Sequence, residues 1–268
     1  MKIYTCSLCG GFGNQLFKIF YLIGLALEHN CYYLIDMGNV PIVKDICGKD
    51  RYNCRRILLN LLPELKLQNF ETRNIDDEIV ELHGYLQVVP NEDIFQEICN
   101  ITGIRKYQEI IRKKHSKILE NNTVAIHLRH GDFSKLQYDL CMKENYYIKC
   151  IDNLIDLYPD NKFTFLIFYE YKEDSVDRII KILQEKYTDL YFLIIENNLP
   201  DEEQLILQSL CNHNIIANST YSLFAALFNP NTNRDAIFFA PHQLPNFSIN
   251  HMLKKSNIDA RNIICHYN

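Results

Sequence analysis

Arg129 follows an apolar run at residues 124–128, inside the string His127-Leu128-Arg129-His130-Gly131-Asp132. A guanidinium keeps its charge at any working pH, and its planar fork can grip two phosphate oxygens at once. Gly131 permits a sharp turn, and Asp132 can orient a basic neighbour or cap the next element. The same residues also suit an ordinary salt bridge at a strand end. A second cluster, Asn218-Ser219-Thr220-Tyr221-Ser222, sets three hydroxyls where a strand passes into a helix. Such hydroxyls cap a helix whatever else they do, and with its free N–H groups and dipole they form a phosphate site. The third cluster is Gly10-Gly11-Phe12-Gly13-Asn14-Gln15. Its glycines allow close backbone approach, and the amides of Asn14 and Gln15 at the helix start can bond a polar ligand.

Together these clusters suit a diphosphate carrying a sugar. A dinucleotide fingerprint is incomplete, because Leu16 stands where its third glycine belongs, although Asp36 ends the second strand as a ribose-binding acid would. No paired-carboxylate metal motif stands at a strand end. Arg129 and a helix dipole are therefore expected to neutralise the diphosphate, with neither metal nor cofactor.

The elements that must hold these residues follow from periodicity. A strand at 2–8, the glycine turn and a helix carrying Leu16, Phe17, Phe20, Ile23 and Leu27 lead to a strand at 32–36. A helix at 55–62, a strand-like run around 83–89 and helical spacing from 93 to 119 follow. Beyond Asn121-Asn122 strands and helices alternate as a parallel sheet requires. The expected strands are 124–128, 163–168, 190–195, 214–217 and 236–240, and the expected helices 144–157, 172–187, 201–211 and 219–228. Asp201 is the expected N-cap of the third of these helices. The fold class is thus α/β with two lobes, 1–120 and 121–268, and a ligand cleft between them.

Composition narrows the functional class. The 268 residues carry a formal net charge of −5 and a pI near 6.0, which excludes the dense basic stripe of a nucleic-acid binder. The ten cysteines are scattered irregularly over a long chain, so reduced thiols are expected. The apolar stretch at 16–27 is interrupted by Lys18 and Gly24 and is too short to span a bilayer. With no signal-peptide pattern in this chain, a cytoplasmic setting is expected.

These motifs resemble the α-1,2-fucosyltransferases of glycosyltransferase family 11. Residues 10–17, Gly-Gly-Phe-Gly-Asn-Gln-Leu-Phe, are similar to the family's GGxGNQxF element; His83-Gly84-Tyr85-Leu86-Gln87 is similar to its GYxQ segment. Residues 124–133 resemble the segment bearing its HxRRxD signature and residues 214–222 its IIANSTFS element; the ordered matches reach Ala240-Pro241. The resemblance implies a GT-B-like fold of two Rossmann-like lobes, the first on the acceptor side and the second binding a GDP-sugar. It implies GDP-β-L-fucose as donor and a galactoside-type glycan acceptor, with metal-free inversion to an α-1,2 product. Carried over by motif, Arg129 holds the β-phosphate. Asp132 and Asn14 join it as catalytic residues, and Asn14 approaches the donor from the first lobe. Gly11, Gly13, His127, Asn218, Ser219, Thr220 and Ser222 contact the donor, and Tyr85 and Gln87 the acceptor.

The chain departs from the family pattern in three places. His130 replaces the second arginine, Leu223-Phe224 a tryptophan pair, and Phe168-Tyr169-Glu170-Tyr171 the usual FSDD. Another GDP-hexose, such as GDP-mannose or GDP-rhamnose, is the alternative donor; an inactive carbohydrate-binding protein is the alternative of another class. Asp132, His130 and Asp36 remain candidates for the base that activates the acceptor hydroxyl.

Overall fold

The computed structural model describes residues 2–36, 55–68, 77–130, 141–170, 172–195, 198–231, 236–241, 243–244, 247–248 and 263–266. They fall into two compact units, one ending at Glu109 and the other starting at Ile110. Each unit has its own parallel sheet.

The first unit contains β1 (Lys2–Ser7), α1 (Phe12–Glu28), β2 (Tyr32–Asp36), α2 (Arg55–Leu61), β3 (Glu78–Leu82) and α3 (Glu92–Ile101). It ends within α4 (Ile104–Lys114). Leu16, Ile19, Phe20, Leu22 and Ile23 of α1 are fully buried, as suits a helix apolar on nearly every side. Phe20 meets Phe95 of α3 at 4.9 Å between ring centroids. Gly24 permits this close packing, since a Cβ there would lie 2.8 Å from Pro90 Cγ. Asn91 caps α3 by accepting from the Ile94 N–H at 3.1 Å, satisfying one of the donors a helix start leaves open.

The sheet order is β2-β1-β3, all parallel. The strand expected around 83–89 lies earlier in the chain, at β3. Gly84 and Leu86 explain the correction: their φ values of 86° and 50° are left-handed and break a strand's extended path. The helical spacing at 93–119 resolves into α3, α4 and α5 (Ser116–Leu119), interrupted at Gly103, whose φ is 85°.

The second unit begins in α4 and continues through β4 (Asn122–Leu128), α6 (Glu144–Leu157), β5 (Phe163–Tyr169), α7 (Asp174–Lys186) and β6 (Tyr191–Ile194). After α8 (Asp201–Ser209), β7 (His213–Ile215), α9 (Thr220–Leu227) and β8 (Phe238–Pro241), it includes the short antiparallel pair β9 (Gln243–Leu244) and β10 (Phe247–Ser248) and the strand β11 (Ile263–His266). Its main sheet has the order β11-β8-β7-β4-β5-β6, again all parallel.

Side chains alternate across this sheet. Val124, Ile126 and Leu128 of β4 and Phe163, Phe165 and Ile167 of β5 share one core with Tyr147, Ile151 and Leu154 of α6 and Val176, Ile179 and Leu183 of α7. Ala125, His127, Leu166 and Phe168 occupy the alternate positions and are buried too. Pro200, not Asp201, is the N-cap of α8: its carbonyl accepts the Gln204 N–H at 2.9 Å. Asp201 therefore stands one residue inside, with Glu202 and Glu203, where carboxylates favour the positive end of the helix dipole. Among the described residues, no helix is long and apolar enough to cross a membrane.

Candidate active site

Both sheets reverse direction at their founding strand. In the first unit the chain goes from β1 to β2 on one side and later returns to β3 on the other; in the second it goes from β4 outward through β5 and β6, then returns to β7. The carboxyl ends of the strands flanking such a reversal are where open α/β sheets bind ligands. The described residues of all three sequence clusters, and the 83–87 segment, fall at these ends.

In the first unit the segment after β1 meets the segment after β3. Gly10 has φ 83°, and a Cβ there would lie 2.9 Å from Tyr85 Cε1 and 3.2 Å from the Asn14 side chain. This glycine is needed twice, for its left-handed turn and for the closeness of the Tyr85 ring. Gln87 donates through Nε2 to Asn14 Oδ1 at 3.1 Å, and Tyr85 is half exposed. Asn14, Tyr85 and Gln87 are therefore brought together. Gly11 is the N-cap of α1, and a Cβ there would meet nothing within 4 Å, whereas Gly13 is buried in the first turn.

Gln15 does not take the ligand-facing place expected from its position at the helix start. It is wholly buried and donates through Nε2 to the Gly10 carbonyl at 2.9 Å, bracing the glycine turn. Lys18 was visible in the sequence only as an interruption of an apolar stretch. It is 2% exposed, and its ammonium donates to the Ser7 carbonyl at 2.8 Å and to Cys9 Sγ at 3.0 Å. A lysine so placed in an apolar helix needs polar partners close by, and the end of β1 supplies them.

In the second unit, two adjacent tyrosines of α6 secure the strand ends flanking the reversal. Tyr147 donates to the His127 carbonyl at 3.1 Å, and Tyr146 donates to the Ile216 carbonyl, just beyond β7, at 2.7 Å. Ser219 caps α9, its hydroxyl accepting from the Tyr221 N–H at 3.3 Å. Thr220 begins the helix, half-buried like Ser219, while Asn218 is buried. Ser222 is fully enclosed, and its hydroxyl donates toward the Ser219 carbonyl at 3.2 Å and the Ala217 carbonyl at 3.5 Å. Ser219 and Thr220 thus remain as the hydroxyls at the open end of α9.

His127 faces this helix, its ring 5.6 Å from that of Tyr221. Burial first, then the charges of Arg129 and His130, push its pKa down to about 3. Burial also lowers His130, opposed by the Met142 backbone and Glu173. Both rings are consequently neutral near pH 7. Each keeps one nitrogen, His127 Nδ1 and His130 Nε2, with no hydrogen-bond partner among the described residues, while His130 Nδ1 lies 3.0 Å from Ser175 Oγ. The positive charge among these three neighbours belongs to Arg129.

Arg129 is four-fifths buried and forms an ion pair with Glu170, the residue immediately after β5. In the sequence Glu170 stands out only as a departure from a motif. Counting along the paired strands finds it, because β4 and β5 set Leu128 beside Tyr169 and so Arg129 beside Glu170. Asp132 lies outside the described residues. Asp36 ends β2 in the first unit and is exposed. Among the described residues no group of three or more His, Cys, Asp or Glu side chains could hold a metal ion, and the cysteines at 6, 9, 31, 99, 141, 150 and 211 are free thiols.

Among the described residues, this arrangement offers an anion the fixed charge of Arg129, a capped helix start and neutral imidazoles close by. The family model described as "Glycosyl transferase family 11" matches residues 65–261. No curated protein matches the chain. Among solved structures, it is similar to the fucosyltransferase NodZ from Bradyrhizobium, with TM-score 0.50 and 12% identity over 86% of this chain and 94% of that one. NodZ α-1,6-fucosyltransferase soaked with GDP-fucose aligns with TM-score 0.48 and 14% identity, over 86% and 94% of the two chains. The ADP-heptose LPS heptosyltransferase II of E. coli aligns with TM-score 0.49 and 11% identity, over 99% and 90%. The fold is the GT-B-like α/β architecture, with two Rossmann-like units.

Proposed function

The chain belongs to glycosyltransferase family 11, and from that premise we propose that it moves L-fucose from GDP-β-L-fucose to the 2-hydroxyl of a galactoside-type acceptor, forming an α-1,2 linkage with inversion. One observation carries the donor half of this reading. At the β4/β7 reversal, Arg129 and the Ser219-capped start of α9 occupy the carboxyl ends of neighbouring strands. That pairing of a permanent cation with a helix N-terminus suits a diphosphate.

Sugar transfer of this kind passes through an oxocarbenium-like centre, so most of the catalysis comes from stabilising the departing GDP. Arg129 bears on the β-phosphate as its bond to the sugar breaks. The start of α9 supplies further N–H donors, and His127 offers a neutral ring beside the nucleotide. No metal enters this scheme. On the acceptor side, Gln87 and the Tyr85 ring present an amide and an aromatic face, the usual means of holding a sugar's hydroxyls and its apolar side, while Asn14, held by Gln87, approaches the donor from the first unit.

The test incubates the protein with GDP-fucose and a panel of β-galactosides in EDTA, with the products resolved by mass spectrometry and NMR. An α-1,2-fucosyl product is expected. Arg129→Ala should lose about 10²- to 10³-fold in turnover, the usual loss when a donor to developing negative charge is removed, while remaining folded by circular dichroism. Another linkage, another donor sugar, a requirement for Mg²⁺ or Mn²⁺, or a near-wild-type Arg129→Ala would each overturn a stated part of this reading.

A further inference from the structure

The register between β4 and β5 delivers two opposite charges to one place. Leu128 pairs with Tyr169, and one residue further on Arg129 Nη1 and Glu170 Oε2 form their ion pair. The side chains are 20% and 29% exposed, so the pair is well shielded from water yet open to a ligand. Among the described residues beside Arg129, His127 and His130 are both kept neutral by burial, so the carboxylate answers the arginine.

We propose that Glu170 is the exchange partner of the donor's diphosphate: it holds the Arg129 fork, yields Nη1 to the incoming phosphate, and takes it back as the nucleoside diphosphate leaves. The proposal rests on Arg129 being the phosphate clamp. A carboxylate and a phosphate are both anionic acceptors for the same N–H groups, and each disfavours the other when both are close. The diphosphate has more charge and more oxygens. Glu170 is tethered beside the fork and therefore competes at a high effective concentration. The result is weaker binding and faster departure of the nucleotide than Arg129 alone would allow, which suits an enzyme whose turnover requires product release. Glu170 acts through Arg129, so it is a positioning residue.

The test compares wild type with Glu170→Gln, which keeps the size and a carbonyl acceptor but removes the charge. Titration calorimetry with GDP, and separately with inorganic pyrophosphate, should show Kd falling about tenfold, near the worth of one charge-assisted hydrogen bond. Stopped-flow release of GDP should slow by a similar factor, and the donor KM should fall without a rise in kcat. Glu170→Ala is the second variant and should move affinity in the same direction. A merely structural brace predicts the opposite sign, weaker GDP binding with a lower unfolding midpoint. Equal or weaker diphosphate affinity in these variants, or no affinity in any of the three proteins, overturns the exchange. GDP binding without fucosyl transfer would overturn the proposed reaction alone, leaving the affinity comparison intact.

Discussion

His127 is a buried imidazole whose proton the fold refuses. Burial, followed by the neighbouring charges, lowers its pKa from the ordinary 6.5 to about 3. Between those values the unfolded chain binds a proton that the folded chain does not, so the folded state loses stability as pH falls below about 6.5. For one such group the loss between pH 7 and pH 5 is about 2 kcal/mol. Urea unfolding at those two pH values should therefore show a decrease in wild type that is larger, by about that amount, than in His127→Asn. Carboxylates contribute the same background to both proteins and cancel. Equal pH dependence would mean that His127 accepts its proton in the fold. A neutral ring here also leaves Arg129 as the fixed charge, so donor affinity should depend on the arginine far more than on protonation of His127.

Gly10 illustrates how an element is placed by one residue. Its left-handed turn starts α1 directly over β1, and its missing side chain is what lets Tyr85 and Asn14 close on it. Gly10→Ala should cost about 1–2 kcal/mol from the positive φ, and the added methyl must push Tyr85 or Asn14 aside. With Tyr85 displaced, we expect the acceptor KM to rise severalfold; unchanged acceptor kinetics would remove Tyr85 from the acceptor site. The same turn marks the limit of local pattern. The run after β3, Gly84-Tyr85-Leu86-Gln87-Val88-Val89, has the composition of a strand, but Gly84 and Leu86 take positive φ values and Tyr85 between them packs against Gly10, a contact no window of sequence contains. Gln15 likewise has a ligand-binding amide by composition and spends it on the Gly10 carbonyl. Where periodicity alone decides, sequence and structure agree closely: the apolar runs at 124–128 and 163–168 form β4 and β5, and Ser219 caps the helix it precedes. Such runs are conspicuous because parallel strands are buried on both faces. The Arg129–Glu170 pair follows from register between strands distant in sequence, so each residue is visible alone and their meeting only once β4 is paired with β5.

At the scale of the whole molecule, one construction is used twice. Each unit lays down a first strand, builds to one side, and returns to the other, and the strand ends at that reversal carry the candidate residues. The two sets differ in chemistry. The second unit presents a cation, a capped helix start and imidazoles, suited to a nucleotide's diphosphate; the first presents amides and a tyrosine ring, suited to a sugar. This division predicts a two-part footprint in hydrogen exchange. GDP at about a hundred times its Kd stabilises the protein by about 2.7 kcal/mol, and the slowest-opening contacts should form where it sits. Peptides covering residues 126–129 and 218–222 should exchange more slowly with GDP, while those covering 85–87 should slow only when a β-galactoside is added. Protection by GDP confined to the 10–14 peptides would assign the donor to the first unit and reverse the roles, because a diphosphate held by Arg129 and α9 must shield the amides at the start of that helix.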